Sequence, residues 1–175
     1  MCIRDRYCMS SFLMYRRVVD KEKCFKGQMI PNTINDVWEK EAIHNSYELE
    51  THLKEAVKEA TKDGKAALAL SGGIDSAILA KFMPKGSTAY TFRCTAGDKP
   101  TVDETHIAEK YAVECGLNHK VIEVTWDDME QYAPILMKHK GAPIHSIEVQ
   151  IYKAGMQAKE DEFDRVISVS YTHLT

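Results

Sequence analysis

No apolar run in the chain approaches the ~20 residues that a membrane-spanning helix requires. A signal-peptide core is lacking too, since Cys8 to Tyr15 is apolar but brief and is flanked by Arg6, Arg16 and Arg17. Cysteines are few and scattered. Cys2, Cys8, Cys24, Cys94 and Cys115 form no Cys-x-x-Cys pair, and the seven histidines form no His-Glu-x-x-His. These absences argue against a zinc site and suit a reducing, cytoplasmic setting. Basic charge is not in excess: the net charge is −3, without the stripe that nucleic acid would want, so neither nucleic acid nor membrane is an expected partner. Two common nucleotide signatures are missing as well. No Gly-Lys-Ser or Gly-Lys-Thr closes a Walker loop, and no Gly-x-Gly-x-x-Gly opens a dinucleotide fold.

What is present centres on Leu70-Ser71-Gly72-Gly73-Ile74-Asp75-Ser76. The 175 residues, 44% hydrophobic and 28% charged, suffice for one domain with its own core. Ahead of the motif, Ala66 to Leu70 is an apolar run of strand length; behind it, Ala77 to Met83 is apolar at helical spacing and stops at Pro84. A strand, a Ser-Gly-Gly turn and a helix make an anion cradle. The glycines let successive N–H groups turn inward, and the helix start adds unpaired donors and the positive end of its dipole. The Ser71 and Ser76 hydroxyls can add hydrogen bonds to phosphate oxygens. Asp75 would repel phosphate unless a cation stood between them, which implies Mg²⁺.

Periodicity organises the rest. Residues 1–44 carry no clear pattern and form a poorly defined N-terminal segment. Asn45 with Glu48 reads as a capping box for a helix with Leu49, Leu53, Ala56, Val57 and Ala60 on one stripe, and Gly64 suits its left-handed end. Ala89 to Cys94 reads as a second strand, and Thr95 to Val102, with Gly97 and Pro100, as a loop. Asp103 can cap a helix carrying Ile107, Ala108, Tyr111, Ala112 and Cys115, which Gly116 ends. Lys120 to Val124 is a third strand. Asp127 and Asp128 open a helix that Pro134 is expected to kink, Ser146 to Lys159 forms another, and Arg165 to Val169 is a fourth strand. Strands alternating with helices predict an α/β fold with a doubly wound parallel sheet, and such sheets bind ligands beyond their carboxyl edge at a switch point.

Ser71 to Ser76 resembles the pyrophosphate loop, Ser-Gly-Gly-x-Asp-Ser, of the ATP pyrophosphatase superfamily, whose enzymes split ATP between the α- and β-phosphates. Within it, Leu70 to Ser76 is most similar to the synthetase domain of asparagine synthetases, Leu-Ser-Gly-Gly-x-Asp-Ser-Ser, with Ala77 in place of the last serine. Asp103-Glu104, Ala108, Gly116, His119 and the strand Lys120 to Val124 follow that family's order, as do Gly141-Ala142-Pro143 and the helix from Ser146. The resemblance covers about residues 45–168. It implies a Rossmann-like, adenine nucleotide alpha hydrolase-like fold and an AMP-forming amide synthetase that adenylates aspartate and amidates it with ammonia. It also implies ATP and Mg²⁺ as cofactors. By its motifs Leu70 and Phe92 would offer backbone to adenosine, although Phe92 replaces a small aliphatic residue. Ser71, Gly72, Gly73 and Ser76 would hold pyrophosphate, Asp75 would hold magnesium, and Ser168 would open a second nucleotide motif.

At Ser168 the match stops: Val169 to Thr175 replaces the expected Gly-Glu-Gly-Ala-Asp-Glu, and the family's catalytic lysine is absent. Residues 1–6 and 169–175 resemble translated sequencing adapters, so the chain reads as a fragment, inactive by itself and with no catalytic residue assigned. Cys2 mimics the nucleophile of glutamine-hydrolysing relatives, but Ile3 breaks their Met-Cys-Gly start, and the roughly 65 residues before the first strand cannot hold a glutaminase domain. Ammonia is then expected from a separate glutaminase or a missing domain. Asp127, Asp128 and Glu130 read as a helix start, Asp103 and Glu104 as cap and first turn whose place after the loop could also face the nucleotide, His106 and His119 as surface or strand-edge residues, and Tyr111 and Met129 as core fillers. Two other readings stand beside the synthetase: another ATP pyrophosphatase, of the NAD or GMP synthetase or tRNA sulphur-transfer type, and a non-catalytic nucleotide-binding module.

Overall fold

Four strands, β1 (Ala66–Ala69), β2 (Thr88–Thr95), β3 (Asn118–Thr125) and β4 (Arg165–Ile167), form one parallel sheet in the order β3-β2-β1-β4. This is a computed structural model that describes residues 3–15, 18–20, 22–23, 42–95, 103–141 and 143–169. Cys2, Cys24, Ala142, the expected loop from residue 96 to 102 and residues 170–175 lie outside that description. β1 is central, with Ala69 beside Tyr90 of β2 and Leu68 beside Ile167 of β4. The chain steps outward from β1 to β2 to β3, then returns to the other side of β1. The switch point therefore lies between β1 and β4, at the edge from which the Ser71–Ser76 segment leaves.

Small residues explain the centre. β1 is Ala-Ala-Leu-Ala, buried along its whole length, as a strand covered on both faces must be. One face packs Leu68, Leu70 and Ala89 against Val57 of α2 (Ser46–Thr61), Leu79 and Ala80 of α3 (Ile74–Phe82), and Ala108 and Ala112 of α4 (Thr105–Cys115). The other packs Ala67, Tyr90 and Ile122 against Ala154 and Ala158 of α6 (Ser146–Glu160). Helices on both faces make the sheet doubly wound, as the alternation predicted. Leu68 is fully buried, and its truncation to Ala would cost about 2–5 kcal/mol. A polar clasp joins β2, β3 and the end of α6: the Tyr90 hydroxyl donates to Asp161 at 2.7 Å, and Lys120 pairs with the same carboxylate at 2.7 Å. Lys120 chiefly, with Tyr90, holds the Asp161 carboxyl below its ordinary range, while burial pushes the Tyr90 phenol up.

By its internal contacts the chain divides into two compact units. The sheet, α2 to α4 and α6 from Gln150 belong to one. α1 (Ile3–Tyr15), α5 (Trp126–Lys140) and the first residues of α6 belong to the other, in which Cys8, Phe12 and Val18 pack together. One element differs from the sequence reading here. α1 was not expected, because its apolar residues do not gather on one stripe; Ile3, Leu13, Met14 and Tyr15 remain exposed. α5 runs unbroken from Trp126 through Pro134 to Lys140 and buries no residue fully. The acidic first turn of α5, with Asp127 and Asp128, is as predicted.

Candidate functional site

Ladder bonding carries β1 one residue past its end. The Leu70 N–H donates to the Tyr90 carbonyl at 2.8 Å, and the Leu70 carbonyl accepts from the Thr91 hydroxyl at 2.8 Å. The chain then turns, and α3 begins at Ile74 with Gly73 as N-cap, three residues earlier than the apolar pattern predicted. Ile74, Asp75 and Ser76 are thus the first helical turn rather than loop. Sequence periodicity missed them because Ile74 is 73% exposed and Asp75 is exposed, so neither marks a buried face. The turn itself is short: Ser71, Gly72 and Gly73.

Two serines close this turn on itself. The Ser76 hydroxyl, 1% exposed, accepts from the Ser71 N–H at 3.1 Å, lies 2.9 Å from the Ser71 hydroxyl, and sits 3.0 Å from the Gly73 carbonyl. The Gly73 N–H donates to Ser71 Oγ at 3.2 Å. Ser76 therefore staples the loop from inside, whereas Ser71 is exposed at its mouth.

Gly72 is the crowded position. A Cβ there would stand 3.0 Å from Glu104 Cβ and 3.0 Å from Glu104 Oε2, a tight approach that Glu104 would have to relieve by shifting a few tenths of an ångström. At Gly73 a Cβ would meet only Ser71 Oγ, at 3.3 Å. Glu104, 32 positions downstream, thus borders the loop. It is the N-cap residue of α4 and makes no side-chain cap bond. Capping falls to Asp103, whose carboxylate accepts from the Thr105 N–H at 3.0 Å and the Thr105 hydroxyl at 2.6 Å. Those bonds, with Arg93 beside it at 3.2 Å, hold the Asp103 carboxyl below its usual range. Arg93 also reaches the Thr105 hydroxyl at 3.2 Å, so β2 and the start of α4 are tied beside the loop.

The remaining candidates differ in their places. Asp75 is exposed in the first turn of α3, and its carboxylate makes no hydrogen bond or ion pair among the described residues. Phe92 packs its ring on the α6 face of the sheet, leaving only its backbone at the edge of β2. Ser168 directly follows β4, across the switch point from Leu70. His106 is exposed, with Nδ1 3.2 Å from the Asp103 carbonyl. His119 lies on the edge strand β3, as expected, but is half-buried and 2.8 Å from the Thr91 hydroxyl. Tyr111 packs against the core, and Met129 is half-buried.

Magnesium fits these residues. No group of three or more His, Cys, Asp or Glu among the described residues forms a metal cage. Mg²⁺ does not need one, because it is commonly held by one or two carboxylates together with phosphate oxygens. Asp75, unpaired beside a glycine turn, offers such a carboxylate.

A doubly wound α/β sheet whose central strand opens into a glycine turn at the switch point places the chain in the broad class of nucleotide-type α/β folds. The chain belongs, more particularly, to the asparagine synthase family, whose profile matches residues 48–168. That family is one of ligase-type enzymes. No curated protein matches the chain. Among solved structures, an NH3-dependent NAD synthetase from Campylobacter jejuni is similar at 16% identity, covering 67% of this chain and 50% of that one, with a TM-score of 0.40. An NMN synthetase from Francisella tularensis is similar at 16% identity, covering 71% and 54%, with a TM-score of 0.45. The chain spans about half the length of each. No helix among the described residues is long and apolar enough to cross a membrane.

Proposed function

We propose that the chain carries the ATP-binding part of an AMP-forming amide synthetase of the asparagine synthetase type. One observation carries the reading: the Ser-Gly-Gly turn stands at the switch point, is tightly bordered by Glu104 at Gly72, and has an Asp75 carboxylate unpaired among the described residues. ATP would lie with its pyrophosphate against the turn and the α3 N-terminus, where backbone donors and the helix dipole favour negative charge. Adenosine would meet backbone of Leu70 and Phe92 on one side of β1 and Ser168 on the other. Mg²⁺ held by Asp75 would neutralise charge on the departing pyrophosphate.

The reaction follows from that placement. A carboxylate oxygen of the acid, aspartate in this reading, attacks the α-phosphorus and the bond to the β-phosphate oxygen breaks. In this reading the loop backbone would stabilise the charge that grows on the leaving group, an effect that accelerates such a step. Ammonia then attacks the acyl carbon of the adenylate, giving the amide and releasing AMP. Ammonia supply, and the groups that act after Ser168, belong in this reading to the longer protein or to a separate glutaminase.

Calorimetry tests the binding step. Wild type should bind MgATP, and Gly73→Val should not, since its branched side chain would fill the approach to the turn; equal affinity would refute the loop assignment. Product analysis tests the chemistry. A protein carrying the complete domain, given ATP, Mg²⁺, aspartate and ammonia, should yield AMP, pyrophosphate and asparagine in equal amounts. ADP and phosphate would refute the reading. AMP and pyrophosphate with another acid would change only the substrate, and ATP binding without turnover would favour a nucleotide-binding module.

A further inference from the structure

The peptide unit that joins Leu70 to Ser71 is held at both ends. Its carbonyl accepts from the Thr91 hydroxyl at 2.8 Å, and its N–H donates to the Ser76 hydroxyl at 3.1 Å. A peptide is planar, so two bonds at opposite ends fix the orientation of the whole unit. The Ser71–Gly72 peptide follows it, and the Gly73 N–H next along donates back to Ser71 Oγ at 3.2 Å, so this unit anchors the residue on which the turn closes.

Thr91 does not stand alone. It is 2% exposed, on the central strand pair, and His119 Nε2 of β3 lies 2.8 Å from its hydroxyl. A carbonyl only accepts, so the Thr91 proton must go to Leu70. The hydroxyl then has only lone pairs left for His119, and the imidazole must carry its proton on Nε2. Nδ1 is the unprotonated nitrogen of the neutral ring. Burial disfavours the imidazolium here, against a weaker opposing pull from Glu109 of α4. One row of donors thus runs across three strands, from His119 through Thr91 to the Leu70 carbonyl, and ends at the mouth of the turn.

We propose that Thr91, oriented by His119, is a positioning residue for the phosphate turn: it sets the Leu70–Ser71 peptide and through it Ser71, on whose hydroxyl the Gly73 amide closes. As a claim about nucleotide binding this rests on the function proposed above; as a claim about the turn's geometry it does not. The two fail separately. If wild type bound neither MgATP nor pyrophosphate, the nucleotide part of the proposal would be overturned. The exchange and tautomer measurements would still judge the geometric part.

The experiment is nitrogen-resolved NMR on the 175-residue chain, with inorganic pyrophosphate and Mg²⁺ as the binding probe. His119 should show a proton on Nε2 and none on Nδ1. Thr91→Val keeps the shape and loses the hydroxyl, so the Ser71 and Gly73 amides should exchange about tenfold faster. Pyrophosphate should bind the folded Thr91→Val protein about tenfold more weakly. Thr91→Ser should restore both readings, and His119→Gln, which keeps a donor, should stay nearer wild type than His119→Leu. A wild-type proton on Nδ1 would overturn the relay. A stable loss in Thr91→Val with unchanged Ser71 exchange and unchanged pyrophosphate affinity would make Thr91 a packing residue and overturn the proposal. If Thr91→Val does not fold, the wild-type tautomer and the Thr91→Ser exchange rates decide.

Discussion

Helices α2 and α3 lie in the same unit and begin in opposite ways. α2 is sealed: the Asn45 side chain accepts from the Glu48 N–H at 2.9 Å, and the Glu48 carboxylate reaches back to the His44 N–H at 2.8 Å. α3 starts at Gly73, which offers no side chain, and the nearby serine hydroxyls brace the turn instead of covering the helix end. α4 stands between them, with Asp103 accepting from its Thr105 amide. Leaving a helix end open with glycine costs only a few tenths of a kcal/mol relative to a good cap. It leaves donors and a positive dipole end facing outward. An open start is thus cheap for the fold and useful only where an anion comes.

Four changes would break or sharpen this contrast. Gly72→Val should be the most damaging, because its branched side chain would crowd Glu104 and displace it from the border of the turn; MgATP affinity measured by calorimetry should fall by about 100-fold or more. Asp75→Ala, in a protein with the complete domain, should lower kcat for pyrophosphate release by about 100-fold. Release at the wild-type rate would reduce Asp75 to a favourable first-turn charge. Exchanging the two helix starts comes next. Gly73→Asn would seal α3 as α2 is sealed, raising stability by a few tenths of a kcal/mol while weakening MgATP by about tenfold. Asn45→Ala should do the reverse, costing about 1 kcal/mol in denaturant unfolding with ATP affinity unchanged.

The smallest effect is pH-dependent and belongs to His119. Burial lowers its pKa from 6.5, so above 6.5 the ring is neutral whether folded or unfolded and the full stability is present. As pH falls below 6.5 the unfolded chain takes up a proton that the folded chain resists, and stability declines until the lowered folded pKa is reached. Stability curves from pH 7 to 5 should therefore flatten in His119→Gln. An unchanged slope would mean that the imidazole is as hydrated folded as unfolded.

Much of the fold was legible. The capping box at Asn45, the left-handed Gly64 and Gly116, and the alternating strands and helices all stand where the pattern placed them, because each rests on neighbours in sequence. Boundaries were less so. Thr88 and Asn118 extend β2 and β3 backward by pairing with one another, which no single strand announces. α1 escaped notice because its apolar residues form no stripe. Within the site, the strand, glycine turn and helix were legible, and Glu104 was placed where it could face the same edge, but the Thr91 bond to Leu70 forms only after the sheet brings distant segments together.

The sequence alone determined the order of elements, the glycine turn between β1 and α3, and membership in its family, since these depend on local spacing and residue type. Tertiary structure decided which serine faces outward and which staples the turn, why Gly72 is more crowded than Gly73, and how a histidine on an edge strand meets the threonine that bonds Leu70. Those outcomes depend on strand order and register. A parallel sheet sets β1 between strands whose paired residues are 21 and 99 positions away in the chain, and only that juxtaposition selects the contacts.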